Sequence, residues 1–245
     1  MMMNSLNLIR PNWPAPPNVR ALQSTRQGGY SQSPYYSLNL GEHVNDAPLN
    51  VTKNRQLLSQ HLPSEPLWLK QTHGISVARF AADCTPQADA SISRVRGEVC
   101  VVMTADCLPV LLCNLDGTVV AAVHAGWRGL CNGVIEATVK AMQVSSASVI
   151  AWLGPAIGPQ SFEVGVDVRN AFLQKDFETE IAFTSVANSD KYLANIYDLA
   201  RMRLNKLGIS QIFGGNYCTV IDETLFFSYR RDGTTGRMGT FIWLE

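Results

Sequence analysis

Short apolar runs rich in β-branched residues, an amphipathic stretch of helical period, and no regular alternation of the two predict an α+β fold. The runs lie at 99–103, 109–113 and 119–123 and read as buried strands. The amphipathic stretch is 130–142, where Leu130, Val134, Ile135, Val139 and Met142 fall on one stripe.

In chain order, residues 11–17 (PNWPAPP) form an extended lead-in. Residues 26–47 are rich in turn formers and predict a long surface loop. A helix is expected over 50–60, with Asn50 as its cap. The turn NLDG at 114–117 joins the second and third apolar runs into a hairpin. That pairing brings Cys107 and His124 to neighbouring strand edges. A strand at 149–153 ends at Gly154-Pro155, and helices follow at 166–175 and 195–207, the second stopped by Gly208. Further strands are expected at 210–213, 225–229 and 238–243.

With 245 residues, 46% of them hydrophobic, the chain can bury a large core. Twenty basic residues balance twenty acidic ones, so no general electrostatic attraction to nucleic acid or anionic membrane is expected. No segment approaches the roughly 18 apolar residues of a membrane span, and residues 1–17 lack a signal-peptide core. The six cysteines have no framework spacing and read as reduced thiols, which predicts a cytoplasmic protein.

His73 (in KQTHG, 70–74), Cys107 (in TADCLP, 104–109) and His124 (in VHAGWRG, 123–129) carry the chemistry. Imidazole, thiolate and imidazole suit zinc, with copper as the alternative metal. Three protein ligands leave a tetrahedral position open, as in catalytic sites, and no C-x-x-C pair closes a structural one. Without a metal, Cys107 and His124 form a possible nucleophile and base. The remaining cysteines, Cys84 among them, read as small hydrophobes. His43 lies in the polar loop where it can line a pocket, whereas His61 reads as a surface group. Arg26 beside Gly28-Gly29, Arg128 at a strand-to-helix turn, and Arg231, with Arg237 close behind, are candidate anion contacts. Neither a P-loop nor G-x-G-x-x-G accompanies them. Asp106 and Glu163 are the candidate proton-transfer groups.

Together QTHG (71–74), TADCLPVLL (104–112), HAGWRG (124–129), GPAIGPQSFEVG (154–165) and FFSYRRDGTTGRMG (226–239) resemble the YfiH-like family. SLNLGEHVND (37–46) fits its N-terminal part, and its Asn39 and His43 join Arg26, Arg128 and Arg231 as candidate substrate-binding residues. The resemblance implies one domain over 1–245 with α/β/β/α layering and a metal on His73, Cys107 and His124. It implies phosphorolysis of adenosine, inosine, guanosine and methylthioadenosine, with purine nucleosides and phosphate as partners, and deamination of adenosine. Editing of a cell-wall precursor that carries a wrong amino acid is the family's other implied activity. The family is also called a multicopper laccase. Four histidines cannot supply a type-one copper and a trinuclear cluster, so a copper-dependent polyphenol oxidase is the least favoured reading.

Overall fold

A strand buried on both faces sends odd and even residues into different cores, and the apolar runs of this chain do so. The computed structural model describes residues 6–80 and 85–245. Cys84 therefore lies outside the described residues.

A six-stranded sheet has the order β12 (Ile212–Gly214), β8 (Val149–Leu153), β6 (Leu108–Asn114), β7 (Val120–Ala125), β4 (Ala90–Ser93), β3 (Val77–Arg79). A four-stranded sheet has the order β1 (Leu8–Ile9), β2 (Val19–Ser24), β13 (Met238–Leu244), β5 (Cys100–Thr104). From β6, Leu111 and Cys113 enter a core between the two sheets with Val102 and Ile242, while Leu108, Val110 and Leu112 face the helices. From β5 and β13, Val101, Met103, Phe241 and Trp243 face outward onto Leu58 of α1 (Pro48–Ser59). The helices on the far side are α2 (Trp127–Asn132), α3 (Val134–Met142), α4 (Val166–Lys175) and α5 (Ile196–Lys206). The layering is thus α/β/β/α, and the expected α+β class holds. A small sheet of β10 (Phe183–Ser185), β11 (Lys191–Ala194) and β9 (Glu163–Gly165) stands apart, and α6 (Tyr229–Asp232) is a single turn.

The expected hairpin is present: β6 and β7 pair antiparallel, with Leu108 opposite Ala125 and Pro109 opposite His124. The strand at 149–153 and the helix at 166–175 occur with the expected bounds.

Four expectations are corrected. The helix over 130–142 is two helices, because Gly133 takes φ +99° and α2 already begins at Trp127. Helix α1 begins at Pro48, whose fixed φ suits a first helical position, and Asn50 lies inside the first turn. Residues 225–229 form no strand; Phe226 and Phe227 are fully buried against Ala105 and Met238 in an irregular segment. The 26–47 loop is not confined to the surface, since Leu38, Asn39 and Leu40 are fully buried.

Candidate metal centre

Three chain segments meet at the ends of β5, β6 and β7. Cys107 immediately precedes β6, and His124 sits near the end of the neighbouring β7. His73 comes from the loop before β3, tied down at Gln71, whose side-chain amide donates to the Met103 carbonyl at 2.8 Å and accepts from the Met103 N–H at 2.7 Å.

Asp89, wholly buried, organises the rest. Its carboxylate accepts from the backbone N–H groups of Thr72 (3.2 Å), His73 (2.9 Å) and Gly74 (2.7 Å). It also lies 2.8 Å from His124 Nδ1. That contact places the proton on Nδ1 and frees Nε2 as a ligand. His73 is thereby held at φ +60°, a left-handed conformation uncommon for a residue with a Cβ. Burial alone would raise the Asp89 pKa, but the His124 hydrogen bond and the Gly74 and Thr72 amides overcome it and hold it at about 2.

The ligand atoms of His73, Cys107 and His124 lie within 4.8 Å of one another, the one such cluster among the described residues. A tetrahedral zinc with Zn–S of about 2.3 Å and Zn–N of about 2.0–2.1 Å separates sulfur from nitrogen by about 3.6 Å. Cys107 Sγ lies 3.7 Å from His73 Nε2, so this pair fits such an ion. Burial would push the Cys107 thiol up and the His124 imidazole down. Their mutual attraction reverses both, favouring thiolate beside imidazolium when no metal holds them. Gly126 is required sterically: a Cβ there would stand 2.8 Å from His73 Cδ2 and 3.0 Å from Cys107 Sγ.

The ligands open onto a cavity of about 560 Å³, large enough for a small organic molecule. Its wall includes aromatic rings (Trp127, Phe162, Tyr229) and guanidinium groups (Arg128, Arg230, Arg237). His43 and Asp106 line it as well. Burial, reinforced by Arg237 and Arg55, lowers the His43 pKa.

Asp106, at φ +95°, has both carboxylate oxygens engaged: Oδ1 accepts from Thr219 Oγ1 and Oδ2 from the Arg230 N–H, each at 2.6 Å. It ties the 219–230 segment to the residue before Cys107.

Other candidates are relocated. Glu163 is not in this wall; its carboxylate pairs with Lys191 Nζ at 2.6 Å on β9, a partly exposed ion pair away from the ligands. Arg26 lies in a different cavity, where its guanidinium donates to the Tyr36 and Glu223 carbonyls. Arg231 binds the carboxylate of Asp232 and the carbonyls of Thr219, Val220 and Phe226, which makes it a structural clamp. Asn39 is buried, with its amide given to Gly41, Asp46 and Arg237, and does not reach the cavity wall. Sequence reasoning singled out neither Asp89 nor Gln71, whereas Arg230 lies in the 228–233 segment read as an anion contact. Gln71 was visible inside the QTHG motif. Asp89 had only the signal of one acid within the apolar 88–92 stretch.

Fold and site together define an α+β protein with a three-donor cluster able to hold a metal ion in the wall of an arginine-lined cavity. Residues 20–245 match the family described as multi-copper polyphenol oxidoreductase laccase, and the chain belongs to that family. It is 55% identical over 241 residues to the purine nucleoside phosphorylase YfiH of Escherichia coli K12, covering 97% of this chain and 98% of the relative. It is 50% identical over 244 residues to the purine nucleoside phosphorylase of Haemophilus influenzae, covering 98% and 100%. Among solved structures, the Neisseria meningitidis protein NMB0706 matches with TM-score 0.94 and 49% identity, covering 98% of this chain and 99% of that one. YlmD from Geobacillus stearothermophilus matches with TM-score 0.87 and 29% identity, covering 94% and 93%. The YfiH-like resemblance read from the motifs thus holds.

Proposed function

We propose that this chain is a zinc-dependent purine nucleoside phosphorylase that acts on adenosine, inosine, guanosine and methylthioadenosine and also deaminates adenosine. The observation that carries the reading is one cavity walled by the His73, Cys107 and His124 donors, aromatic rings and guanidinium groups. In support, relatives at 50% and 55% identity bear the name purine nucleoside phosphorylase.

Phosphorolysis joins a phosphate oxygen to the sugar C1′ as the C1′–N9 bond breaks. The bonding pair leaves with the purine, which takes up a proton, and ribose 1-phosphate forms. Trp127, Phe162 and Tyr229 offer flat apolar surface for the purine, and the arginines offer positive charge for phosphate. His73, Cys107 and His124 would hold the zinc, which supplies Lewis acidity and lowers the pKa of water toward ~7, the chemistry that deamination at C6 requires. Asp106 faces the cavity with both oxygens already hydrogen-bonded, so it holds the wall in place.

The test is product analysis of metal-verified protein incubated with adenosine, with and without phosphate. Adenine and ribose 1-phosphate only with phosphate, and inosine in both tubes, are expected. Unchanged adenosine in both tubes at full zinc loading would remove this reading.

A second reading has its own observation: Cys107, His124 and Asp89 stand in a row as nucleophile, base and orienting carboxylate. That arrangement suits an amidohydrolase that releases an amino acid from a cell-wall precursor. It requires activity that survives a strong chelator and is lost on thiol alkylation, whereas the zinc reading requires loss on chelation and recovery with zinc.

A further inference from the structure

Two neighbouring arginines use the same edge of the guanidinium differently. In Arg231 the side-on fork of Nε and Nη2 is filled by the Asp232 carboxylate, at 2.8 and 2.7 Å. In Arg237 the opposite corner is anchored: Nη1 donates to the carbonyls of Thr235 and Gly236, both at 3.0 Å. Its Nε and Nη2 have no protein acceptor among the described residues, and the side chain lines the metal cavity.

The backbone around Arg237 is fixed with equal care. Its N–H donates to Asn39 Oδ1 at 2.9 Å and its carbonyl accepts from the Leu40 N–H at 3.1 Å. Gly41 makes room for the stem, since a Cβ there would stand 2.8 Å from Arg237 Cγ. Arg237 is half-buried, and burial is the main influence that disfavours its charged form. Arg128, by contrast, is exposed and stacked 4.4 Å over Trp127, and Arg230 is exposed and donates to the Ser161 carbonyl. A partly desolvated guanidinium with an open planar fork is built for an anion with two oxygens at matching spacing.

We propose that the Nε–Nη2 edge of Arg237 is the binding fork for a tetrahedral oxyanion, inorganic phosphate, beside the metal ligands. Asn39 is then a positioning residue that acts through the Arg237 backbone. The assignment of phosphate as co-substrate rests on the phosphorylase reading; the anion site itself rests on the geometry.

The experiment measures inorganic phosphate binding to zinc-loaded protein by calorimetry, without nucleoside. In parallel, an arginine-specific dicarbonyl reagent is applied with and without phosphate, and peptides are mapped by mass spectrometry. Phosphate should protect Arg237. Arg237→Gln and Arg237→Lys should weaken phosphate binding at least tenfold, the lysine because it loses the fork, with zinc content and adenosine binding kept. Equal modification of Arg237 with and without saturating phosphate would overturn the proposal, and this arm needs no variant to fold. Unchanged phosphate affinity in folded, zinc-loaded Arg237→Gln would do the same. An AMP arm separates the two sources of phosphate: occupancy of the fork by AMP but not by free phosphate also overturns the assignment. If the wild type forms ribose 1-phosphate and Arg237→Gln keeps its KM for phosphate, the fork fails and the phosphorylase reading stands. If phosphate protects Arg237 but no ribose 1-phosphate forms, the reading fails and the fork stands.

Discussion

Asp89 carries several tasks through one carboxylate: it shapes the His73 turn, sets the His124 tautomer and stands behind both of these histidines. Asp89→Asn retains the size but removes the charge and one acceptor. Zinc affinity, measured by competition with a chromophoric chelator, should fall 10- to 100-fold, the usual cost of losing an outer-shell partner. The same carboxylate sets an acid limit. Its folded pKa, about 2, lies below the ordinary value of about 3.9, so its stabilisation is complete above that ordinary value. It is lost as pH falls through about 2. In metal-free protein this amounts to about 2–3 kcal/mol between about pH 5 and pH 2. Urea unfolding of wild type and Asp89→Asn across that range should show a steeper fall for the wild type; parallel curves would contradict it.

At the scale of elements, the β6–β7 hairpin sets Cys107 and His124 side by side, and the turn from β7 into α2 must then clear them. Gly126→Ala places a methyl against His73 and Cys107 at distances side chains do not tolerate. Zinc per chain by atomic absorption should fall well below one while far-UV circular dichroism stays unchanged. How far these elements could be read in advance depended on what bounds them. The 149–153 strand was legible because it is uniformly apolar and ends at Gly154-Pro155, and 166–175 because Gly165 opens it. The Leu225-Phe226-Phe227 run looks the same in one dimension, yet those rings are buried by packing beneath Met238 with no strand beside them to pair. Apolar periodicity reports burial, and only a partner makes it a strand. The three donors His73, Cys107 and His124 were legible because their motifs are local. Asp89 was not, because its partners lie 15 to 35 residues away in the chain.

For the whole molecule, the core between the sheets is what joins the two β layers. Leu111, fully buried there on β6, should cost about 2–5 kcal/mol when cut to alanine, read as a lower urea midpoint with unchanged slope. The zinc reading links the site to the same equilibrium: free metal at 100 times its Kd should add about 2.7 kcal/mol, seen as a higher Tm that chelation reverses.

The strand order has a consequence in time as well as in space. β13 lies between β2 and β5, with Met238 opposite Thr104 and Leu244 opposite Val19, yet it follows both of them by more than a hundred residues. A ribosome therefore makes the two outer partners long before the strand that joins them, and each waits with an unsatisfied edge. Arg237 arrives with that same strand, so the cavity acquires its oxyanion fork in the step that closes the sheet. A nascent chain halted before residue 237 would hold His73, Cys107 and His124 but lack both the fork and the seam, and its open edges would be the places where a chaperone or a second nascent chain could bind.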